Sequence, residues 1–409
     1  MASSSKLRTL LLGKVWPEPS ATAAGRRTMD VLQALQRAGH ELHFATASAQ
    51  AEQGLDLSAL GVAEHAVQVN DSAFNQWITE LKPSVVIFDR FMTEEQFGWR
   101  VEQNCPAAMR VLDTSDLHCL RKAREDVVLK GAALNLLNEL ALREIASIHR
   151  CDLSLMISEF EMELLRCTFG IADSQLAYWP FFLPPPAATR SFAKRKHCIL
   201  IGSFLHAPNV DAARWCIAEI WPRVRTVLPD VELHLYGSYG EKYAGELNRP
   251  QHGIHFKGRA KDALRAMESY RLNLAPLRFG AGLKGKLFDG FQTGTPGIVT
   301  PMAVEGILGD LEWGHLPTDD SEAFADAIVR SYHSEAEWSA LQQAGQRIAV
   351  ERFNSSDWQH RLPDWIDRSL DVLEQSRHQQ FTGRMLRHHQ HRSTEFMSRW
   401  IEAKQRLQD

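Results

Sequence analysis

The residues best suited to chemistry lie between Arg271 and Ile307, where a basic loop interrupted by glycines follows a short apolar run that ends at Pro276. The loop carries Gly280, Gly282, Lys284, Gly285 and Lys286. Glycines let backbone N–H groups approach a ligand, a helix start adds partial positive charge, and lysines add full charges. The stretch therefore predicts a site for an anionic ligand at the carboxyl end of a parallel sheet.

A helical pattern follows this loop, with Leu287, Phe288 and Phe291 as its apolar positions until Gly294 and Pro296 stop it. The order strand, glycine loop, helix and strand is the unit that holds an anionic ligand at the carboxyl end of a parallel sheet. Leu287 follows Lys286 where a P-loop needs Ser or Thr, so the loop does not predict a P-loop ATPase.

A second polar group follows the apolar run Ala107–Leu112, which predicts a strand. This group comprises Asp113, Ser115, Asp116, His118, Arg121, Lys122 and Arg124. Open α/β sheets bind ligands at the carboxyl ends of their strands, so Asp116 and His118 are candidates for a site. The alternative is that Asp113 or Ser115 caps a helix whose first turns carry solvated charges.

Strand and helix patterns alternate along the chain, which predicts an α/β fold with parallel sheets covered on both faces. Its 409 residues suffice for two domains, and Pro184-Pro185-Pro186 marks the clearest boundary. We predict a first domain over 1–183, a second over 190–355, a closing helix over 356–375 and a basic helical tail over 376–409.

Several local predictions follow from periodicity and capping residues. Residues 117–149 form one long helix or two joined near Gly131, 178–182 form a last strand of the first domain, and 356–374 form one helix. Ser158 and Glu161 have the spacing of a capping box, which gives Glu161 a structural role.

Composition limits the class of protein. The net charge of −4 gives no reason to expect nucleic acid as a partner. The six cysteines form no C-x-x-C pair or metal-ligand spacing, which favours free thiols in a reducing compartment. We find no signal peptide and no apolar run near the ~20 residues of a membrane span. These features predict a cytoplasmic protein.

Two motifs of the second half resemble the family 4 (group 1) retaining glycosyltransferases of the GT-B fold. Gly202 to Ala212 reads G-S-x-x-x-x-P-N-x-x-A, and Gly280 to Lys286 reads G-A-G-x-x-x-K, as in one subgroup of that family. The commoner family pattern has two glutamates eight positions apart. Here Ala281 stands at the first and Asp289 at the second.

The resemblance implies two Rossmann-like, doubly wound domains that face each other across a cleft, with a C-terminal helix crossing back to the first domain. It implies retaining transfer of a sugar from a nucleotide-diphosphate sugar to a glycan, lipid-linked glycan or other polysaccharide precursor, with no metal and no other cofactor. A nucleotide-sugar epimerase of the same fold, or a silent binding module suggested by Ala281, are the alternatives.

The resemblance also implies roles for particular residues. Gly202, Ser203, Gly280, Gly282, Lys284 and Lys286 would face the diphosphate. Asp289 would bind the ribose, Arg259 a phosphate or the base, and Glu305 sugar hydroxyls. Asp116 and His118 would contact the transferred sugar or the acceptor, Lys286 would stabilise the leaving group, and the loop bearing Gly13 and Gly25 would face the cleft.

The tail has seven Lys or Arg against Glu395, Glu402 and Asp409, and a weak apolar stripe. It could lie at the inner face of an anionic membrane, pack against a partner or another copy, or form a solvated helix.

Overall fold

Two parallel sheets organise the protein. A computed structural model describes residues 6–19, 22–49 and 55–407. The strands of the first sheet are β1 (Arg8–Gly13), β2 (Glu41–Thr46), β3 (Val62–Ala66), β4 (Val85–Asp89), β5 (Met109–Asp113), β6 (Leu153–Met156) and β7 (Leu176–Tyr178). The strands of the second are β8 (Lys196–Ile201), β9 (Leu233–Tyr236), β10 (Ile254–Gly258), β11 (Tyr270–Ala275) and β12 (Gly297–Val299).

Both sheets have the doubly wound order. The first runs β3-β2-β1-β4-β5-β6-β7 and the second β10-β9-β8-β11-β12, and every pair is parallel. The order reverses between β1 and β4 in one sheet and between β8 and β11 in the other. These reversals leave crevices at the carboxyl ends of the strands, where such sheets bind ligands.

Helices connect the strands. They are α1 (Ala23–Arg37), α2 (Ala73–Leu81), α3 (Phe91–Asn104), α4 (His118–Lys130), α5 (Glu139–Arg150), α6 (Glu159–Phe169), α7 (Ala207–Trp215), α8 (Trp221–Val227), α9 (Ala244–Leu247), α10 (Ala263–Met267), α11 (Gly285–Thr293), α12 (Pro301–Val304), α13 (Ser321–His333), α14 (Glu335–Arg352), α15 (Ser355–Trp358), α16 (Arg361–Asp371), α17 (Leu373–Gln379), α18 (Phe381–Leu386) and α19 (Arg392–Arg406). One π-helical turn joins α7 to α8 and another joins α18 to α19.

Two local predictions need correction, and one pair of alternatives is decided. The 117–149 pattern forms two helices, as the second alternative predicts, because Gly131 ends α4 at φ +64° and Asn138 caps α5 through Leu140 and Ala141 N–H groups. The last strand of the first sheet ends at Tyr178, before Pro180, which has no N–H to donate. The pattern at 356–374 breaks into α15, α16 and the start of α17.

The C-terminal helices return to the first sheet. Trp358, Leu362 and Ile366 are buried in the same apolar cluster as Leu32 of α1, and burying such a side chain stabilises the fold by ~1.5–3 kcal/mol. The two chain segments between the sheets run side by side, since Leu183 N–H donates to Phe353 O at 2.7 Å. The helices after 355 therefore tie the two sheets together.

The tail packs on the first domain. α18 contacts α5, and α19 contacts α3. Arg377 donates to both oxygens of the buried Asp152 at 2.7 Å each. Among the alternatives for 376–409, the structure thus shows, as far as residue 407, a helical tail that is bound within its own chain. Its contact with a membrane or another copy stays a prediction.

Candidate functional site in the interdomain cleft

The two switch points face one cavity of about 320 Å³ between the sheets. Gly202 and Ser203 follow β8, and the glycine loop 277–284 follows the neighbouring strand β11. Arg90 follows β4 and Ser115 follows β5 on the opposite wall. Residues that lie far apart in sequence meet because parallel strands bring their carboxyl ends to one edge.

The first turns of three helices line the cavity. Ala23 begins α1, Asn209 lies in the first turn of α7, and Gly285 begins α11. A side chain of the sheet orients the start of α11, because the buried amide of Asn273 in β11 donates to Lys286 O at 2.9 Å. Backbone N–H groups without intrahelical partners and the helix dipoles make this wall attractive to anions.

Positive charge dominates the lining. Its seven cationic side chains are Arg26, Arg27, Arg90, Arg121, Arg259, Lys284 and Lys286. Against them stand two carboxylates, Asp116 and Asp289. The balance suits a ligand with two or more negative charges.

Lys284 and Lys286 lie at the start of α11. Lys284 Nζ donates to Gly282 O at 2.5 Å, and Lys286 Nζ donates to Asn209 Oδ1 at 2.8 Å. Burial lowers the pKa of Lys284 to about 8, and burial together with the charge of Lys284 lowers the pKa of Lys286 to about 8. Neither pairs with a carboxylate within 4 Å among the described residues, so an incoming anion can supply the missing counter-charge.

Asp289 lines the cavity one helical turn beyond Lys286. Its Oδ1 accepts a hydrogen bond from Arg26 Nη1 of α1 at 2.6 Å. Asp289, the residue predicted to bind the ribose, is thus paired with a cation from the other domain. A ligand that binds Asp289 must share or displace Arg26.

Asp116 and His118 line the opposite wall. Although burial raises the pKa of Asp116, the adjacent Arg121 guanidinium brings it below its ordinary value. His118 Nδ1 lies 3.2 Å from Glu144 Oε1, which orients the ring. The alternative that Asp113 or Ser115 caps α4 is wrong, because among the described residues neither side chain accepts a hydrogen bond from the first turn of this helix. The Glu144 carboxylate accepts hydrogen bonds from the N–H groups of His118 and Cys119 instead.

Two cavity residues hold rare backbone conformations. Arg90 has φ +67° and Ser115 has φ +59°. Arg90 N–H donates to Asp113 O, and its guanidinium pairs with Asp89 at 2.8 Å. Such conformations cost about 1–3 kcal/mol and persist where neighbouring contacts enforce them. Sequence reasoning missed Arg90, although its place after a buried strand is the signal that marked Asp116.

Glu161 lies behind the glycine loop and is fully buried. Ser158 Oγ accepts from Glu161 N–H, as the capping box predicts. The carboxylate, however, accepts from Leu117 N–H and, across the cleft, from Gly282 N–H at 2.7 Å. Burial, together with the nearby charge of Asp116, raises the pKa of Glu161 to about 8.

Gly282 is predicted to face the diphosphate, but its N–H donates to Glu161 instead. It has φ +62°, and a Cβ there would lie 2.7 Å from Asp116 Cβ. The structure therefore uses Gly282 for close approach of the two domains. Gly280, Gly202 and Ser203 do line the cavity, and Arg259 lies exposed at its rim.

Three further predicted residues lie outside the cavity lining. A Cβ on Gly13 would strike the Phe44 ring at 2.4 Å, and one on Gly25 would strike the Glu18 backbone at 2.5 Å. Gly13 and Gly25 thus allow close packing within the first domain, while Ala24 and Arg26 on either side of Gly25 line the cleft. Glu305 forms a two-fold ion pair with Arg124 of the first domain, at 2.7 and 2.8 Å.

Arg124 also donates to Gly280 O at 3.0 Å. Arg124–Glu305, Arg26–Asp289 and Glu161–Gly282 thus join the two domains around the cavity. The arrangement encloses a cationic site with one wall from each domain, suited to holding a diphosphate on the second wall and a second reactant on the first.

Residues 195–334 match the family model described as glycosyl transferases group 1. The matched range includes the second sheet, the glycine loop and Asp289. With the solved structures below, this match supports a transferase.

The fold resembles solved glycosyltransferases along most of the chain. Sucrose-phosphate synthase from Thermosynechococcus elongatus is 14% identical, with a TM-score of 0.65, 90% of this chain covered and 100% of that chain. HepE from Anabaena, in complex with UDP-glucose, is 12% identical, with a TM-score of 0.65 and coverage of 88% and 100%. A glycosyltransferase from Rickettsia africae is 13% identical, with a TM-score of 0.63 and coverage of 90% and 99%.

These likenesses confirm the predicted α/β fold with two doubly wound domains, the GT-B fold. No curated protein sequence matches the chain. Among the described residues, no helix has the length and apolar character needed to cross a membrane.

Proposed function

We propose that the protein transfers a sugar from a nucleotide-diphosphate sugar to an acceptor hydroxyl, with retention of configuration and without a metal ion. One observation carries the proposal: the first turns of α1, α7 and α11 and the amines of Lys284 and Lys286 converge on one interdomain cavity. A nucleoside diphosphate is a leaving group whose charge grows as the sugar departs. Fixed dipoles and cations stabilise that charge most where water is excluded.

The residues divide between leaving group and acceptor. Lys284, Lys286 and the free N–H groups of α11 hold the diphosphate, with Gly202 and Ser203 beneath it. Asp289 accepts hydrogen bonds from the ribose. Asp116 and His118 on the first wall orient the transferred sugar and the acceptor.

A UDP-sugar is the first donor to test, because the solved HepE structures hold UDP and UDP-glucose in the same fold. A glycan, a lipid-linked glycan or another polysaccharide precursor is the acceptor class. The protein acts in the cytoplasm under this proposal. Contact of 376–409 with an anionic membrane stays a prediction, for which exposed Phe396, Met397 and Trp400 beside basic residues give the reason.

Thermal shift with UDP-, GDP-, ADP- and dTDP-sugars in EDTA tests the donor site. A bound donor raises the melting temperature in proportion to RT ln(1 + [L]/Kd). We expect a shift with one nucleotide family, and its loss in Lys286→Ala. Lys242→Ala, which removes an exposed lysine outside the cavity, is the matched control. Absence of a shift with all four families contradicts the donor site.

Transfer itself needs a product assay. Incubation of the stabilising donor with acceptor extracts should release the nucleoside diphosphate and give an α-linked product from an α-linked donor, also in EDTA. An epimerised donor without acceptor would instead favour the epimerase. Donor binding without turnover against every acceptor would favour a silent binding module.

A further inference from the structure

A second group of ligand-type side chains lies on the second sheet, away from the cleft. Glu232 precedes β9, His234 is in β9, and His255 is in β10. Residues two apart in a strand point to one face, and His234 pairs in register with His255. All three side chains therefore share one face, at the amino ends of the strands. Ser238, which lines the cavity, lies six residues after Glu232, and six residues of extended chain span about 20 Å.

The ligand atoms of this cluster are close together. Glu232 Oε2 lies 2.7 Å from His234 Nε2, and Glu232 Oε1 lies 3.5 Å from His255 Nε2. One ligand atom from each residue lies within 4.8 Å of the others. A tetrahedral ion with bonds of about 2.0–2.2 Å needs its ligands roughly 3.3–3.6 Å apart, so small side-chain rotations bring the three onto one ion.

The hydrogen bonds behind His234 suit a metal ligand. Its Nδ1 lies 2.6 Å from the Tyr270 hydroxyl, which lies 3.1 Å from the Tyr236 hydroxyl. The Tyr270 hydroxyl can accept a hydrogen bond from Nδ1–H and donate one to the Tyr236 hydroxyl, which leaves the Nε2 lone pair of His234 for a cation. Metal-bound histidines are commonly held in this way, through the nitrogen that does not face the ion.

His197 stands beside the cluster with its Nε2 4.0 Å from Glu232 Oε2. It holds φ +60°, a conformation of a few per cent of non-glycine residues, and its Nδ1 accepts the Glu232 N–H at 3.1 Å. The backbone conformation and this bond hold the His197 imidazole beside Glu232.

The cluster also has access to solvent. Side-chain exposure is 11% for His234, 27% for His255 and 38% for Glu232. Lys196 of β8 and Lys257 of β10 carry positive charges near these rings and weaken the attraction of a cation.

We propose that Glu232, His234 and His255 bind one zinc-class divalent cation, with the fourth position open beside His197. Two imidazoles and one carboxylate form a donor set that Zn²⁺ commonly uses. The ion would join β9 to β10 at the end of the sheet opposite the cavity. The inference is independent of sugar transfer, since none of its ligands lines the cleft.

The test is a titration of the full chain, stripped with EDTA and then dialysed, with Zn²⁺ against a chromogenic chelator. We expect one Zn²⁺ per chain with micromolar or tighter affinity. His255→Gln, at a partly exposed position, should weaken binding at least tenfold. His252→Gln removes an exposed histidine three residues away and should leave binding unchanged. Tyr270→Phe should weaken binding about tenfold through the lost support of His234.

A Co²⁺ titration gives a readout that folding alone does not move, because visible d–d bands should form with wild type and be lost with His255→Gln. Absence of stoichiometric binding overturns the proposal. Zinc that stays on His255→Gln and is lost from His388→Gln/His389→Gln assigns binding to the tail and also overturns it. Donor binding in EDTA reports on the cleft separately.

Discussion

Glu161 of the first domain accepts the backbone N–H of Gly282 in the second domain at 2.7 Å. Its other carboxylate oxygen is buried and has no hydrogen-bond partner among the described residues. This contact exists only while the two domains are closed. Burial disfavours the charged form of this carboxyl group, and the N–H groups of Gly282 and Leu117 offset only part of that effect.

Glu161→Gln should change how the free energy of unfolding depends on pH. The pKa of Glu161 is about 8 in the folded protein, above its ordinary value, so the stability contributed by the protonated form is full below about pH 4.5 and is lost as pH rises through 8. Glutamine does not ionise. We expect the variant to match wild type near pH 5 and to exceed it by ~1–3 kcal/mol at pH 9 in denaturant unfolding. Glu163→Gln, exposed on the same helix, should change neither value.

Gly282→Ala should open the cleft. Alanine at φ +62° costs about 1–2 kcal/mol, and its Cβ would collide with Asp116. Small-angle scattering should show a larger radius of gyration, and donor affinity should fall roughly tenfold. Gly245→Ala meets no neighbour within 4 Å and serves as control. An unchanged radius would show that the contact does not hold the domains closed.

Donor affinity should depend on pH through Lys286. Its pKa of about 8 means that the charged amine, fully present well below pH 8, is lost as pH rises through that value. Affinity for the diphosphate should fall roughly tenfold between pH 7 and pH 9, in calorimetric titration. Lys286→Arg keeps its charge and should make the profile less steep, while Lys284, whose pKa is also about 8, still titrates. A profile equally steep in both proteins would assign the titration to another group.

Arg124 and Glu305 should prove to be energetically coupled. Both side chains are largely buried, at 15% and 19% exposure, and they form a two-fold pair. A double-mutant cycle with Arg124→Met and Glu305→Gln should give a coupling of about 1–3 kcal/mol in unfolding free energy. The same cycle, measured on donor affinity, shows whether Glu305 only joins the two domains or also binds sugar hydroxyls. A loss of affinity in Glu305→Gln that is absent from Arg124→Met would restore the predicted sugar contact.

Tail packing should weaken as pH rises. Although burial lowers the pKa of His391, its hydrogen bonds to Glu102 and Glu94 raise it above the ordinary value. The stability it contributes is full below that ordinary value and is lost as pH rises through the folded pKa. Hydrogen exchange of 387–400 should therefore be severalfold faster at pH 9 than at pH 6 relative to the intrinsic rates. His391→Gln should remove the difference, and His388→Gln should not.

The sequence by itself determined the fold class. Alternating apolar runs and helical patterns, with glycine and proline between them, require parallel sheets, and the carboxyl-end rule points to the glycine loop and to Asp116. Those signals are local, so one chain segment carries each of them. The family motifs at Gly202 and Gly280 marked the wall on which α11 begins.

Only the tertiary structure decided how the two walls meet. Nothing near Glu161 in sequence shows that it reaches Gly282, 121 positions away, or that Arg26 pairs with Asp289, 263 positions away. Likewise Glu232 and His234 meet His255 only through strand register. Such pairs depend on how domains and strands dock, and docking is set by the summed packing of surfaces rather than by the spacing of any residues along the chain.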